Sequence, residues 1–518
     1  MNKSKAHEEL AARRKKAEQM GGADRINRQH GRGKNTVRKR IDGLLDPRSF
    51  QEYGQLASHL SGVGQAQTVD DVTPADAVVF GFGKIDGRPV CVVGEDFTVK
   101  GGTFGVIHGR KKLRAVEIAN RERVPIIWIQ DGAGARAQEM IGEGLPAGPH
   151  YLAMARHSGT APQVSLVMGP SAGDSSLIAC LCEFVVMVDG ISMLAAAGPP
   201  VVKAAIGREI GKDELGGCDI HCRISGVADY RAKDEAHALE LARRFLSYLP
   251  TNAWEYPPSC PSLPPCESAP MELAGVIPDD PRQAYDMKRV IQAVVDQESF
   301  FEIKAEHAQM ILTGFARIEG HPLGVIANQP SVFAGAITAA AARKARHFID
   351  LCTAYHLPLL FLQDVPGIMP GLEAEREGAL RPALSLSYAL AWSDVPKVTV
   401  IIRKAFGYGA CAMCGGGAGQ AVVLAWPYAD FGSLPPTSAV LAAHAKDIEQ
   451  SANPEARKLE LVEHYKRCTD AFHAAAMFTI DDVIYPNETR ERVARALELA
   501  RSRRSCGATP TARFGVMP

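Results

Sequence analysis

The chain of 518 residues carries 58 basic and 58 acidic side chains, and 46% of its residues are hydrophobic. This length predicts at least two domains with large buried cores, and the zero net charge argues against nucleic acid as the main partner. No uncharged apolar run is long enough to cross a membrane, and the amino terminus lacks the apolar stretch of a signal peptide. We therefore expect a cytoplasmic protein.

We expect the first 45 residues to form a basic helical arm. Thirteen Lys or Arg residues and four acidic residues lie between Lys3 and Arg40. The segment Ala6–Met20, rich in Ala, Glu and Arg, predicts a helix that ends at Gly21 and Gly22. A basic arm can bind nucleic acid, but this one has no interleaved aromatic residues. We therefore favour a solvated helix that packs on a neighbouring subunit.

A proline-rich linker divides the rest of the chain. Seven prolines lie between Pro250 and Pro270, and proline at this density interrupts helices and central strands. We therefore expect an amino-terminal domain at 46–250, a linker at 251–272 and a carboxyl-terminal domain at 273–518. The similar length of the two domains suggests an internal repeat.

The two halves contain matching segments. Three segments of the first half reappear 233 or 234 residues later with similar glycine, proline and apolar positions. The pairs are Gly81–Val90 with Gly314–Leu323, Val124–Asp131 with Leu357–Asp364, and Pro162–Val167 with Pro396–Ile401. A near-constant offset across all three pairs indicates two copies of one fold.

Each copy alternates short apolar runs with helical segments. The predicted strands include Ile126–Ile129, Val164–Met168, Leu359–Leu362 and Val398–Ile402, and the predicted helices include Lys111–Arg121 and Ala339–Tyr355. This alternation predicts an α/β fold with parallel sheets covered on both faces. Ligands of such folds gather at the carboxyl ends of the strands.

Two glycine turns occupy matching positions in the repeat. The strand ending near Met168 continues as Gly169–Asp174 and then a helix, and its counterpart continues as Arg403–Gly409. Peptide N–H groups at such turns can stabilise an oxyanion. The alternatives are glycines that permit close strand–helix packing, and turns that cradle phosphate. Two turns at matching positions favour a paired oxyanion site.

A further pair of turns follows the neighbouring strands. The first-half turn consists of Gly132, Ala133, Gly134, Ala135 and Arg136, which are candidates for lining the substrate site. It follows Asp131, and its counterpart follows Asp364. An Asp at the end of a strand before a turn commonly caps that turn. We therefore expect structural roles for both carboxylates.

Twelve cysteines are scattered along the chain, a pattern typical of reduced thiols in a cytosol. Cys218–Cys222, which contains His221, and Cys411–Cys414 have spacings that could hold zinc. A structural zinc site needs four ligands, and neither segment has a second half nearby. Small buried cysteines are the alternative, and we expect this chain to bind no metal.

A series of ordered motifs covers nearly the whole chain. They are Gln29–Lys34, Asp96–Val99 with Gly101 and Gly102, Gly198–Lys203, Glu214–Gly217, Ser225–Ala228, Pro278–Asp280, Tyr285–Met287, Gly314–Arg317, Ala327–Pro330 and Asp364–Gly367. These motifs resemble those of the carboxyltransferase (β) subunits of biotin-dependent acyl-CoA carboxylases of the propionyl-CoA and methylcrotonyl-CoA type. The resemblance implies two tandem crotonase-like domains related by internal duplication. It also implies a β6 core of an α6β6 assembly, with active sites between the first domain of one chain and the second domain of its partner.

The resemblance implies a role for each glycine turn. Backbone N–H groups of Tyr408 and Gly409 would stabilise the biotin anion left when carboxybiotin releases CO₂. Those of Gly173 and Asp174 would hold the enolate of an acyl-CoA, which attacks CO₂ through its α (or vinylogous) carbon. The biotin anion takes the α-proton, so no side-chain base is required. The chain lacks a biotinylation motif, and its length leaves no room for a biotin carboxylase. An α partner subunit would therefore supply the biotin and the biotin carboxylase.

The chain departs from the family pattern at three places. Asp174 stands where the family has a second glycine. Because a carboxylate beside an enolate is repulsive, its side chain should point away or bond locally. Cys411 stands at a pocket position that affects acyl choice, and the segment after Trp426–Pro427 lacks the usual Met-Gly. These departures leave the acyl group open.

Two other functions fit the same motifs. A decarboxylase subunit of the glutaconyl- or methylmalonyl-CoA type would run related chemistry in reverse. A non-catalytic assembly subunit would keep the fold without binding substrate.

Overall fold

The computed structural model describes residues 3–59, 69, 72–140, 148–265, 273, 275–280, 283–501, 507–512 and 515–518. The chain divides into two compact units, one reaching Glu255 and one beginning at Tyr256, and residues 515–518 belong to the first. The division lies within the proline-rich segment 251–272. The basic arm is part of the first unit.

The first unit alternates strands and helices after the arm. Its helices are α1 (Lys3–Glu18), α2 (Ala23–His30), α3 (Val37–Leu44), α4 (Val106–Glu122), α5 (Ala137–Met140), α6 (Pro149–His157), α7 (Asp174–Cys180), α8 (Pro199–Ile206), α9 (Lys212–Gly216) and α10 (Glu235–Tyr248). Its strands are β1 (Gln51–Tyr53), β2 (Val78–Ile85), β3 (Arg88–Glu95), β4 (Ile126–Gln130), β5 (Gln163–Val167), β6 (Pro170–Ala172), β7 (Phe184–Val188), β8 (Met193–Ala195) and β9 (Tyr230–Ala232). The predicted arm helix corresponds to α1, and the predicted strands to β4 and β5.

The second unit repeats this arrangement. Its helices are α11 (Met287–Val294), α12 (Ala339–Ala354), α13 (Leu372–Arg376), α14 (Leu380–Trp392), α15 (Gly407–Ala412), α16 (Pro436–Gln450), α17 (Pro454–Lys466), α18 (Ala471–Ala476) and α19 (Thr489–Arg501). Its strands are β10 (Phe301–Ile303), β11 (Ile311–Ile318), β12 (His321–Asn328), β13 (Leu359–Val365), β14 (Lys397–Phe406), β15 (Val422–Ala425), β16 (Asp430–Gly432) and β17 (Asp482–Val483). The predicted helix of this half is α12.

The main sheets of the two units have the same topology. Among the described residues, their strand orders are β1-β2-β3-β4-β5-β7-β9 and β10-β11-β12-β13-β14-β15-β17. The strands from β3 and from β12 onward are parallel, as expected. The prediction of parallel sheets holds only for this part, because the first three strands of each sheet are antiparallel.

Matching hairpins build these antiparallel edges. The turns have positive φ at Asp86 and Gly87 in the first unit and at Glu319 and Gly320 in the second. Positive φ at both central residues is the condition for the type I′ turn that joins antiparallel strands. In the second unit, Asp296 accepts the N–H groups of Glu319 (2.9 Å) and Gly320 (2.7 Å). Asp46 does the same for the first turn.

The central strands are buried on both faces. Every residue of β4 and of β13 is buried, which explains why they read as continuous apolar runs. The largest fully buried side chains include Trp128 of β4 and Trp426, which follows β15. These strands therefore lie in the core of each unit.

The described part of the proline-rich segment is anchored to the units at both ends. Thr251, Asn252 and Ala253 are buried in the first unit. In the second unit, the Cys260 N–H donates to the Gly320 carbonyl (3.0 Å), and Arg317 donates to the Pro258 carbonyl (3.2 Å). None of the helices in the described ranges is long and apolar enough to cross a bilayer.

Candidate functional site

In the first unit, two turns lie against one another at the carboxyl ends of the strands. One is the turn of residues 132–136, and the other joins β6 to α7. The Ala172 N–H donates to the Gly132 carbonyl (3.3 Å), and a Cβ atom on Gly134 would lie 3.9 Å from the Ala172 carbonyl oxygen. The structure therefore brings together the two first-half turns that the sequence selected.

The second unit has the same pair of turns. A Cβ atom on Gly409 would lie 2.7 Å from the Gly367 Cα and 2.9 Å from the Val365 Cγ2. Gly367 corresponds to Gly134 of the first unit at the repeat offset. There is no space for a side chain at position 409. Only glycine at this position lets the start of α15 pack this closely on the neighbouring turn.

The backbone donors at the first glycine turn differ from our expectation. Gly173 has φ 61°, a left-handed conformation, and its N–H donates to the Ala195 carbonyl (3.0 Å). That N–H is therefore committed to the pairing between β6 and β8. Asp174 is the first residue of α7, so its own N–H has no acceptor within the helix. The same holds for Tyr408 and Gly409 in the first turn of α15.

The Asp174 side chain bonds locally, as we expected. Its Oδ2 accepts from the Lys112 Nζ (2.6 Å), and its Oδ1 accepts from the Tyr151 hydroxyl (2.7 Å) and the His150 Nε2 (2.7 Å). Burial would raise the pKa of the Asp174 carboxyl, but the Lys112 charge and the His150 hydrogen bond hold that pKa well below its usual range. The carboxylate is thus ionised, and the Lys112 charge partly offsets it.

Lys112 joins this carboxylate to a second one. Its Nζ also contacts the Glu95 Oε1 (2.7 Å). The same oxygen accepts from the Ser175 hydroxyl (2.7 Å), and Glu95 Oε2 accepts from the Asp131 N–H (2.8 Å). We call Glu95, Lys112, His150, Tyr151, Asp174 and Ser175 the Lys112 network. It connects the end of β4, which leads into the 132–136 turn, to the first residues of α7.

Asp131 has a structural environment. It is fully buried and accepts from Lys34 (2.6 Å), Arg40 (2.9 Å) and Gln29 (3.1 Å), all from the arm. A Cβ atom on Gly169 would lie 1.9 Å from an Asp131 oxygen. In the second unit, Arg403 takes the place corresponding to Gly169 and bonds Asp364 (3.0 Å). Both Asp residues therefore hold turns in place, in agreement with the structural role expected from the sequence.

The Arg136 side chain, which we expected to bind substrate, is instead bonded within the first unit. Its guanidinium is buried and contacts the Asp76 carboxylate (2.6 Å) and the Thr103 hydroxyl (3.2 Å). We expected it to contact substrate, but these bonds commit its charge inside the unit. The backbone of Gly132, Ala133, Gly134 and Ala135 remains the part of this turn that faces the glycine turn.

The two cysteine segments lie in different environments. Cys218 and Cys222 pack in the core of the first unit, and both ring nitrogens of His221 are engaged, with the Leu194 carbonyl (2.8 Å) and the Ser225 hydroxyl (2.9 Å). Cys411 is exposed one turn beyond Tyr408, whereas Cys414 is buried. The Tyr408 hydroxyl bonds the Ser387 hydroxyl. Three of these four cysteines, Cys218, Cys222 and Cys414, are thus buried thiols.

Comparison with known proteins identifies the class. The model of the carboxyl transferase domain matches residues 28–517. The chain therefore belongs to the carboxyl transferase family, and it is a carboxyltransferase of the acyl-CoA type, as the motifs predicted.

Relatives and solved structures agree with this assignment. The chain is 37% identical to the propionyl-CoA carboxylase carboxyltransferase subunit of Haloferax mediterranei, over 99% of this chain and 98% of the relative. It is 34% identical to the methylmalonyl-CoA decarboxylase subunit alpha of Propionigenium modestum, over 99% of each. The transcarboxylase 12S structure, a hexamer with methylmalonyl-coenzyme A bound, superposes with a TM-score of 0.91 at 35% identity, covering 100% of this chain and 99% of that one. The predicted duplicated crotonase-like fold is confirmed.

Sequence reasoning missed most of the Lys112 network. Lys112 lies in the run Arg110–Arg114, where four of five residues are basic, and such a run reads as a solvated helix face. His150 and Tyr151 are in no motif that we selected. The one available signal was the Asp174 departure, since a carboxylate there requires buried partners.

Proposed function

We propose that this chain transfers CO₂ from carboxybiotin, carried by a partner subunit, to the α (or vinylogous) carbon of an acyl-CoA. One observation carries the proposal: each unit places a glycine turn, whose first helical N–H groups have no acceptor within the helix, against a second strand-end turn. Such donors suit an oxygen that gains negative charge during the reaction. The duplication supplies one such place for each of the two reactants.

The first unit would hold the acyl-CoA. The Asp174 N–H and one N–H from the 132–135 turn would donate to the thioester oxygen as the enolate forms. We propose Asp174 and the turn in place of the Gly173 N–H, because that group already donates to Ala195. The Lys112 charge reduces the repulsion between the Asp174 carboxylate and the enolate, and the bonds to Lys112 and His150 hold the carboxylate in place.

The second unit would hold the biotin group. When bound, biotin supplies the CO₂ and accepts the α-proton of the acyl-CoA. The N–H groups of Tyr408 and Gly409 would donate to the ureido oxygen, and the close packing of Gly409 on Gly367 fixes their position. Cys411, exposed on the same helix, would affect the choice of acyl group.

The assembly would follow that of the relatives. We propose a β6 core of an α6β6 complex, as the hexameric transcarboxylase 12S suggests, with a biotin carboxylase and biotin carrier on the α subunit. No metal of this chain is used. A cytoplasmic location stays a prediction.

A decarboxylase function is the second candidate, favoured by the full-length relative in Propionigenium modestum. One experiment separates the two. The chain is purified with its biotinylated partner, ATP, bicarbonate and a panel of acyl-CoAs. Carboxylation of at least one thioester supports the proposal. Failure with every thioester, together with CO₂ release from malonyl- or methylmalonyl-CoA, favours decarboxylation, and failure in both directions favours the non-catalytic assembly subunit.

A further inference from the structure

Residues 515–518 belong to the first unit, although they are far from it in sequence. The Val516 N–H donates to the Ser158 hydroxyl (2.9 Å), and Val516 is buried. A Cβ atom on Gly515 would lie 2.4 Å from the Ser158 Cβ and 2.6 Å from the Ser158 carbonyl oxygen. The backbone at position 515 therefore packs on Ser158 at a distance that only glycine allows. The reaction proposed above assigns no role to this contact.

Ser158 joins the carboxyl end of α6 to the segment that follows α7. Its N–H donates to the Met154 carbonyl of α6 (2.9 Å), and its hydroxyl donates to the Glu183 Oε1 (2.7 Å). Glu183 is buried and follows the end of α7 by three residues. The Ser158 hydroxyl thus accepts a hydrogen bond from Val516 and donates one to Glu183. Residues 515–518 therefore dock on the bond that holds the two helix ends together.

Gln163 makes a second link between the same helix ends. Its side-chain Nε2 donates to the Met154 carbonyl (3.2 Å) and to the carbonyl of Leu181 (3.4 Å), the residue directly after α7. Its backbone N–H donates to the Glu183 Oε2 (2.7 Å). Gln163 is fully buried, so water does not compete for these bonds. The carboxyl ends of α6 and α7 are therefore held by a buried set of hydrogen bonds.

The amino ends of α6 and α7 are joined as well. His150 and Tyr151, in the first turn of α6, both bond the Asp174 Oδ1 (2.7 Å each). Asp174 is the first residue of α7. The two helices are thus bonded amino end to amino end and carboxyl end to carboxyl end. A shift at one end of this helix pair is transmitted to the Asp174 turn at the other end.

We propose that residues 515–518 position the Asp174 N–H, because their docking on Ser158 fixes the far end of the helix pair. This inference rests on the function proposed above, which assigns that N–H to the thioester oxygen. The strength of a hydrogen bond falls steeply with poor alignment, and a misplaced oxyanion donor lowers the rate of reaction. Gly515 and Ser158 are accordingly positioning residues, which act through Asp174.

Gly515→Ala is the main test, because the new Cβ atom would push residues 515–518 away from Ser158. Gly507→Ala is the matched control, since a Cβ atom there would meet nothing within 4 Å. Hydrogen exchange of the whole chain, followed by mass spectrometry without substrate or partner, is the measurement. We expect the amides of α6 and α7 to exchange about tenfold faster in Gly515→Ala than in the control, while those of α12 in the second unit stay unchanged.

Turnover supplies the second measurement. In the transfer assay with the biotinylated partner, kcat and kcat/KM for acyl-CoA should fall together about tenfold in Gly515→Ala with KM unchanged, which is the pattern of a lost transition-state interaction. Ser158→Ala removes the same contact without adding volume and should lower kcat in the same way. A control variant with wild-type kcat supports the assignment to Ser158.

Three results would overturn the proposal. They are exchange in α6 and α7 that matches the control, an equal acceleration of exchange throughout the first unit, and an unchanged kcat in Gly515→Ala despite faster exchange in the helix pair. Because exchange is measured without substrate, faster exchange confined to α6 and α7 would support the link from residues 515–518 to Asp174 even if the carboxylation assay failed. Failure of that assay in the wild type would count against the proposed function alone.

Discussion

The two units share a backbone design but anchor their glycine turns differently. In the first unit, Glu95, Lys112 and Asp174 form a buried charged chain under the turn. The corresponding residues of the second unit, at the repeat offset, are Asn328, Ala345 and Tyr408. Asn328 keeps one contact of Glu95, since it accepts the Asp364 N–H (3.3 Å) as Glu95 accepts the Asp131 N–H. It has no second carboxylate oxygen to bind a lysine.

This difference shows that one fold can position backbone donors in two ways. The first unit relies on charge, because an acidic residue stands in its glycine turn and must be neutralised. The second unit relies on packing, because a Cβ atom at Gly409 would overlap Gly367. Substitutions that remove charge should therefore affect the first unit, and substitutions that add volume should affect the second.

The largest effect is expected from Lys112→Met. This change leaves the carboxylates of Glu95 and Asp174 buried without their cation, and we expect the free energy of unfolding to fall by about 3–5 kcal/mol. Urea denaturation monitored by circular dichroism measures this loss. Arg110→Met, exposed on the same helix, should change it by less than about 0.5 kcal/mol. Equal losses in the two variants would contradict a special role for Lys112.

Gly409→Ala tests the packing of the second turn. The new Cβ atom would displace the backbone of Tyr408 and Gly409, and we expect the transfer rate to fall on the order of 10²-fold. Ser175→Ala, at the corresponding position of the first unit, removes one hydroxyl and should cost less than about tenfold. Steady-state kcat with the biotinylated partner is the measurement. Full activity in Gly409→Ala would show that its packing is irrelevant to transfer.

Asp174→Asn tests the charge of the first turn. The amide keeps the shape but removes the charge, and the free energy of unfolding should fall by about 1–3 kcal/mol at pH 7. The pKa of Asp174 in the fold lies below its unfolded value of about 3.9. Its stabilisation is therefore complete above that value and is lost as the pH falls through the folded pKa.

Urea denaturation at a series of pH values should show that the stabilisation from Asp174 is lost as the pH falls. The difference in unfolding free energy between wild type and Asp174→Asn should be constant from about pH 5 to 7 and shrink below about pH 4. A difference that instead grows on acidification would mean that Asp174 is not held ionised by Lys112.

The smallest difference between the units is expected for two buried lysines, Lys111 and Lys344, at corresponding positions of the repeat. Lys111 donates to the carbonyls of Ala75 (2.7 Å) and Val78, and Lys344 to those of Lys304 (2.9 Å), His307 (2.9 Å) and Ile311 (2.8 Å). Burial lowers the pKa of each to about 7. The unfolded chain, with a lysine pKa of about 10.4, binds more protons between these values, so stability rises with pH there.

Replacing either lysine with methionine should remove the contribution of that lysine to the increase of unfolding free energy with pH. Unfolding free energies at pH 7 and pH 9.5 measure it, and we expect Lys111→Met and Lys344→Met to agree within about 0.5 kcal/mol. Strongly unequal effects would show that the two units differ at this position too.

The repeat and its strands were predictable because they depend on local patterns. The continuous apolar runs of β4 and β13 and the helix α12 could be assigned from length and periodicity. The edge hairpins also had a signal, Asp86–Gly87 and Glu319–Gly320 between apolar runs, which we read as a repeat and not as a turn. Parallel sheets were therefore predicted where mixed sheets form.

The site was only partly predictable, because its side chains meet through tertiary structure. The glycine turns were identifiable from sequence, but the use of the Gly173 N–H depends on β8, whose pairing no local pattern indicates. Lys112 lies in a basic run yet is buried by two carboxylates distant in sequence. Arg136 ends a site turn, but its guanidinium pairs with the carboxylate of Asp76, sixty residues earlier in the chain.

The most direct test of the proposed mechanism is a crystal structure of the carboxyltransferase with a non-hydrolysable acyl-CoA analogue bound. We predict that the thioester oxygen lies within about 3.2 Å of the Asp174 nitrogen and of one nitrogen in the 132–135 turn. A thioester oxygen bound elsewhere, with both nitrogens bonded only to protein, would contradict the account.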